Sequence, residues 1–260
     1  MRDQASYHTI PRFYDAIMAH VDYQGWGDYL RKLWTRAGVE QPQNILELAA
    51  GTCPFHRLNT FPENAKVIYT DLSLGMLLAA EGEPRSDGRR AKPPSCRVTT
   101  NALHLPFHSG YFDLVLMIYD AFNYLMDAKG AQQALTEIHQ VLRPGGIFIF
   151  DITTATNSKR HFADVLDYED LQGGAYIRQS QFDPESNLQE NAFTFFVEEP
   201  DGRYRRIQEV HQQRIFKVDD LISWATQIGF TITGPFSGFS FRPGTDTSER
   251  VHLALRKPEL

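Results

Sequence analysis

The sequence predicts an α/β fold: a doubly wound, mostly parallel seven-stranded sheet flanked by helices, with a helical lid before it and an antiparallel β insertion late in the chain. Three observations predict it. Short apolar runs alternate with helical periodicities from residue 40 to residue 155. One of those runs, FDLVLMIY from Phe112, is almost continuously apolar, as a strand covered by helices on both faces must be. After Thr156 the pattern changes to long strand-like segments joined by the turn sequences DPESN and EPDGR.

From Ser6 to Gly38, the residues Phe13, Ile17, Val21, Tyr29, Leu30, Leu33 and Trp34 recur at helical spacing with a break near Asp22 to Gly27, which predicts two helices in a lid over 1–39. QPQNILELAAG is a short apolar run ending in small residues. Pro54 behind it lacks only an amide hydrogen that a first helical turn leaves unpaired, so strand, turn and helix follow. Val67-Ile68-Tyr69-Thr70 makes the second strand and ends at Asp71, with Asp71 or Ser73 as the cap of the helix LGMLLAA. A polar loop over 81–96 leads to a short third strand near Arg97 to Thr100, and Phe112 opens the fourth. Ala131 to Leu142 has helical periodicity, stopped by Arg143-Pro144-Gly145-Gly146, and Ile147 to Ile152 is the fifth strand. Right-handed crossovers make 40–155 one unit. The insertion, 156–216, holds strands at Ala175 to Phe182, Leu188 to Val197 and Tyr204 to Phe216. A helix over Asp219 to Ile228, ended by Gly229, and two strands, Phe230 to Phe241 and Arg250 to Arg256, return 217–260 to the sheet.

With 260 residues, 42% of them hydrophobic and 22% charged, the chain can bury a core of its own. Two cysteines, Cys53 and Cys96, are too few for a disulfide framework and lack zinc-site spacing, which suits a reducing cytoplasm. The opening MRDQASYHTIPRFYDAIM has no apolar run like a signal peptide, and no stretch approaches the roughly 18 apolar residues of a membrane span. No membrane partner is expected. A net charge of −6 opposes broad capture of nucleic acid, and the basic clusters Arg85 to Arg97 and Arg203 to Arg206 read as solvated loop and hairpin. Nothing in the sequence sets an oligomeric state.

The chemistry begins at Glu47-Leu48-Ala49-Ala50-Gly51-Thr52, where small residues let a ligand approach the backbone. At the end of the next strand Asp71 supplies a carboxylate able to accept both ribose hydroxyls of a nucleoside. A dinucleotide turn would need glycine where Ala49 and Cys53 stand, and Glu47 would repel a pyrophosphate. The same carboxylate attracts the ammonium of a methionine moiety. Electrostatics therefore favours S-adenosylmethionine over NAD, while Cys53 reads as a small buried thiol.

With these residues in view, ILELAAGT resembles motif I of the class I methyltransferases, and IYTDLSLGML resembles their acidic second-strand motif with its D-x-S-x-x-M-L helix start. The resemblance covers residues 40–155 and implies a Rossmann-like fold and S-adenosylmethionine as cofactor. It implies cofactor contacts from Glu47, Ala49, Gly51, Asp71, Leu72 and Met76. TNALHLPF is similar to the adenine-reading segment, implying Asn101 and Ala102, and FDLVLMIYDAFNYL to motif IV, implying Tyr119. Tyr14-Asp15, Asn123-Tyr124-Leu125 and the 174–216 region resemble bacterial small-molecule methyltransferases of the sugar-amine and glycine N-methyltransferase kind. There an N-terminal tyrosine and tryptophan close over the cofactor, which implies Tyr14 and Trp26. Cys53 and Glu47 depart from the usual glycine and aspartate.

Methyl transfer is an in-line displacement that depends mostly on alignment in a dry pocket, so a strong base is optional. In IQEVHQQRIF, Glu209 and His211 share one strand face, and His211 is a candidate to orient or deprotonate the acceptor. Asp120 and Asn123 follow the fourth strand, where α/β ligands sit, and Asn123 with Tyr14 completes the candidate catalytic set. The expected activity is methyl transfer to an N or O nucleophile of a small molecule. An RNA or protein methyltransferase, a non-catalytic S-adenosylmethionine-binding protein and an NAD-dependent oxidoreductase are the alternatives. No metal site is expected.

Overall fold

The computed structural model describes Tyr7, residues 10–80 and residues 94–259. The remaining lid residues and most of the basic stretch from Arg85 to Arg97 lie outside the described residues. The chain opens with α1 (Tyr14–Ile17) and α2 (Tyr23–Arg36). The predicted break at Asp22 to Gly27 is narrower than expected, because the Asp22 carboxylate accepts from Gly25 N at 2.9 Å and starts α2 as its N-cap. Then follow β1 (Asn44–Leu48), α3 (Pro54–Arg57), β2 (Lys66–Asp71), α4 (Leu74–Ala79), β3 (Arg97–Thr99) and β4 (Phe112–Met117). After a 3-10 turn at Ala121–Tyr124 come α5 (Ala128–Val141), β5 (Leu142–Thr153) and α6 (Ala155–His161). An antiparallel sheet of β6 (Asp164–Leu171), β7 (Gly174–Asp183), β8 (Leu188–Glu198) and β9 (Tyr204–Arg214) precedes α7 (Val218–Ile228), β10 (Thr231–Ser237) and β11 (Arg250–Arg256).

The main sheet has the order β10-β11-β5-β4-β1-β2-β3, parallel except that β11 runs antiparallel to both its neighbours. This is the seven-stranded, Rossmann-like sheet that the sequence predicts. Successive residues of each central strand serve opposite layers. Ile45, Leu114, Leu116, Ile147 and Ile149 pack with Trp26, Leu30 and Leu33 of α2. Leu46, Val115, Phe148 and Phe150 pack with Leu135 and Ile138 of α5 and Leu221 and Ala225 of α7. Complete burial of a side chain such as Leu135 stabilises by roughly 2 kcal/mol relative to exposure, and its truncation to alanine costs about 2–5 kcal/mol.

The second sheet turns the alternating face of Tyr176, Phe193, Phe195 and Val197 toward Ile10, Phe13 and Ile17 of the N-terminal segment and Met76 of α4. Phe13 stacks on Phe195 with ring centroids 5.8 Å apart. Lid and insertion thus share one apolar layer. The sequence reading misses α6 and β6. The latter, DVLDYEDL, is an edge strand with acidic residues along it, as exposed edges require, and so lacks a buried-strand pattern. Among the described residues no helix is long and apolar enough to cross a membrane.

Candidate active site

Strand order reverses between β1 and β4: β2 and β3 extend the sheet one way, β4 and β5 the other. Beyond the carboxyl ends of these strands, where open α/β sheets bind ligands, lies a cavity of about 1960 Å³. Its rim is built from left-handed backbone. Ala49 (φ 50°), Gly51 (57°) and Cys53 (55°) form the turn after β1, and Tyr119 (67°) and Asp120 (49°) the turn after β4. Four of these five carry side chains in a region that costs them conformational energy, a pattern concentrated at ligand sites. Of the residues predicted to bind cofactor, Tyr14, Glu47, Ala49, Gly51, Asp71, Leu72, Met76, Asn101, Ala102 and Tyr119 line this cavity together.

Glu47, one residue before the end of β1, has its carboxyl buried and its Oε2 without a hydrogen-bond partner. Desolvation pushes its pKa up from 4.5 to about 8. A buried acceptor of this kind at a cavity wall suits a ligand cation, and the ammonium of a methionine moiety fits it. Asp71 accepts from Gly51 N (2.9 Å) with one oxygen and from Ser73 N (2.8 Å) with the other. Burial pushes its pKa up, while those backbone donors oppose the rise. Each carboxylate oxygen has a second lone pair, so both ribose hydroxyls can still be received. Ser73, the second candidate cap, does cap α4, accepting from Met76 N at 3.3 Å. A Cβ on Gly51 would sit 3.3 Å from Met76 Cε at an unfavourable φ, so this position favours glycine. Asn101 braces its own turn by accepting from Leu103 N at 2.9 Å. An acidic seat, a ribose acceptor and a close-approach turn on one wall fit S-adenosylmethionine.

Asp15 explains the Tyr14-Asp15 pair. Its carboxylate accepts from Thr52 Oγ1 at 2.6 Å and from Arg57 Nη1 at 2.8 Å, tying α1 to the β1 turn and so holding Tyr14 over it. The β4 turn is braced by residues the sequence reading did not select. Asp151 of β5 accepts from Tyr119 N (2.6 Å) and Asp120 N (3.0 Å). Arg250 of β11 bridges Asp151 to Asp120 and stacks between Trp26 and Tyr119, 5.3 and 5.2 Å from their ring centres. Burial opposes the charge on Arg250, but the two carboxylates outweigh it and hold the guanidinium protonated. A signal existed: Asp151 interrupts an otherwise apolar IFIFDI strand, and a buried carboxylate demands a cation.

Three candidates are placed elsewhere. Trp26 does not line the cavity, since its indole is buried behind Tyr119 against Phe239 and His252. Asn123 is fully buried and committed: its Nδ2 donates to Arg214 O (2.8 Å) and Thr153 O (3.3 Å), and its Oδ1 accepts from Thr153 N (3.0 Å). It joins the 3-10 turn to β5 and β9 and does not line the cavity. His211 faces inward beside Glu209, as the strand parity predicts, with Nε2 3.5 Å from Glu209 Oε2. The rings of Tyr7, Phe193 and Tyr124, at 4.7, 5.5 and 6.4 Å, enclose it, so phenols stand where the imidazole was expected. Cys53 is buried, and desolvation pushes its thiol up, in keeping with packing.

Residues 46–150 match the family described as the methyltransferase domain. A protein of Geobacillus sp. that carries a methyltransferase name is 27% identical over 97% of this chain and 100% of its own length. The crystal structure of an S-adenosylmethionine-dependent methyltransferase from Clostridium acetobutylicum superposes with a TM-score of 0.77 at 25% identity, covering 97% of this chain and 99% of that one. The sugar N-methyltransferase KedS8 of Streptoalloteichus sp. shares the fold, with a TM-score of 0.74 at 16% identity over 100% of this chain and 96% of its own. Sheet order, the acidic wall of the cavity and these likenesses together support a class I S-adenosylmethionine-dependent methyltransferase.

Proposed function

We propose that the chain methylates a small molecule at a nitrogen, accepting it as the uncharged amine. The observation that carries this reading is the commitment of the groups that could act as bases. Asp120 is held by Arg250 and Gln213, and Asp71 by two backbone amides. Burial pushes the phenols of Tyr7, Tyr14 and Tyr124 upward, so they stay neutral and cannot withdraw a proton at physiological pH. When bound, S-adenosylmethionine supplies a methyl carbon made electrophilic by its sulfonium. The chain's own contribution is alignment and exclusion of water, for which the apolar layer between lid and insertion is the seal. A hydroxyl acceptor needs a base at hand, whereas an amine brings its own lone pair. The names of structural relatives that act on amino sugars agree with this reading.

In this reading Tyr14 and Tyr119 flank the cofactor, Glu47 holds its ammonium and Asp71 its ribose. Matched panels of small amines and the corresponding alcohols, offered with methyl-labelled cofactor, test it. Label is expected in amine members only, with the rate rising as pH approaches the acceptor's own pKa. Transfer confined to the alcohols would overturn it.

A further inference from the structure

Two phenols meet at the wall of the cavity. Tyr7 Oη donates to Tyr124 Oη at 2.8 Å, and both residues line the cavity. They come from distant parts of the chain, the N-terminal segment and the 3-10 turn after β4. The placement is firmly supported. Tyr7 O accepts from Ser73 Oγ at 2.9 Å, at the cap of α4. The Tyr7 ring packs edge-on against His211 at 4.7 Å and against Tyr14 at 6.3 Å. Ile10 N donates to Glu209 Oε1 at 3.1 Å, which fastens the segment behind Tyr7 to the strand that carries His211. The pair hangs between the two strand ends: both phenols feel the charge of Asp71, and Tyr124 also that of Asp120.

We propose that the Tyr7–Tyr124 hydroxyl pair is the polar station that receives the N–H groups of the acceptor amine, with His211 acting as a positioning residue behind Tyr7. Two hydroxyl oxygens 2.8 Å apart can each accept one N–H of a primary or secondary nitrogen. That leaves the nitrogen lone pair directed away from the phenols. As the N–C bond forms, the S–C electron pair passes to sulfur and the nitrogen gains positive charge, which strengthens N–H donation to the phenol oxygens. The proton on the product nitrogen leaves to water after release. A neutral oxygen pair has the right chemistry for this, since a carboxylate there would bind the protonated, non-nucleophilic ammonium most tightly. The proposal rests on the amine-acceptor reading.

Sinefungin, which carries an amine where S-adenosylmethionine carries its methyl, probes the station without any acceptor. Calorimetric titrations of the full chain and of Tyr7→Phe and Tyr124→Phe would compare it with S-adenosylhomocysteine, which has nothing at that position. The full chain is expected to prefer sinefungin by about tenfold, the worth of one charge-assisted hydrogen bond. Either Phe variant should reduce that preference about fivefold while leaving S-adenosylhomocysteine affinity within about twofold. The double variant should lose no more than either single one, because the hydroxyls act as a pair. An unchanged preference in a variant that still binds S-adenosylhomocysteine would overturn the station. The amine and alcohol panel still decides the nucleophile by itself.

Discussion

Replacing Glu47 by glutamine isolates the electrostatic part of cofactor binding. In the folded chain this carboxyl titrates near 8 rather than near 4.5, because it is buried without a compensating cation. Below pH 8 it is therefore mostly neutral, and seating a ligand ammonium against it requires a proton to leave. By linkage, the affinity for S-adenosylhomocysteine should rise about tenfold per pH unit as pH increases toward 8, then level off. In Glu47→Gln no proton has to leave, so affinity should be nearly flat between pH 6 and 8 and lower than wild type at pH 8 by roughly 1.5–3 kcal/mol, or about ten- to a hundredfold.

The same substitution acts oppositely on the cofactor-free fold. A carboxylate whose folded pKa is raised binds its proton more tightly in the native state, so stability falls as pH climbs from 4.5 to 8 and the full penalty persists above 8. The shift is worth at most about 5 kcal/mol. An amide left in the same dry position keeps a cost of about 1–3 kcal/mol, so a gain of about 2 kcal/mol at pH 8.5 is expected for the variant. Calorimetric titration across pH 6–8 in buffers of differing ionisation enthalpy checks the proton release, and thermal melts of the cofactor-free chain check the stability. A wild-type affinity independent of pH, or a variant less stable than wild type at pH 8.5, would refute the assignment of Glu47 as an uncompensated cofactor seat.

Asn123→Ala removes a side chain that satisfies three backbone groups in a fully buried position; it should cost about 2–4 kcal/mol in a denaturant melt. S-adenosylhomocysteine affinity of the folded fraction should stay within about threefold, because the residue does not line the cavity. Arg250→Met leaves Asp151 and Asp120 buried without their cation and should destabilise by about 3–5 kcal/mol at pH 8. The loss should shrink as pH is lowered, since burial already pushes both carboxylates toward the protonated form. Gly51→Ala forces a side chain into left-handed backbone against Met76 Cε; it should cost about 1–2 kcal/mol in stability and at least about tenfold in S-adenosylhomocysteine affinity by calorimetry.

The parts of this site that were legible in the sequence are those whose chemistry depends on their own strand end. Glu47, Gly51 and Asp71 stand at the ends of apolar runs, and a parallel sheet brings such ends to one edge whatever the rest of the chain does. Strand parity likewise put Glu209 and His211 on the buried face, because a period of two fixes which face a side chain serves. Parity does not fix what lies across from that face. His211 meets Tyr7, from more than 200 positions earlier, and does not itself line the cavity. Trp26 and Asn123 fail for the same reason: helical spacing marks Trp26 as inward, but only the position of Arg250 and Tyr119 decides that it lies behind the cavity wall. Asp151 and Arg250 are the informative case. Each stands inside or at the head of an apolar strand, where a lone charge is too costly to remain unpaired, and the adjacency of β5 and β11 brings their strands together. A charge inside an apolar strand is thus a constraint on tertiary structure as well as a local oddity, and here the pair it demands holds the strained turn that carries Tyr119 at the cavity wall.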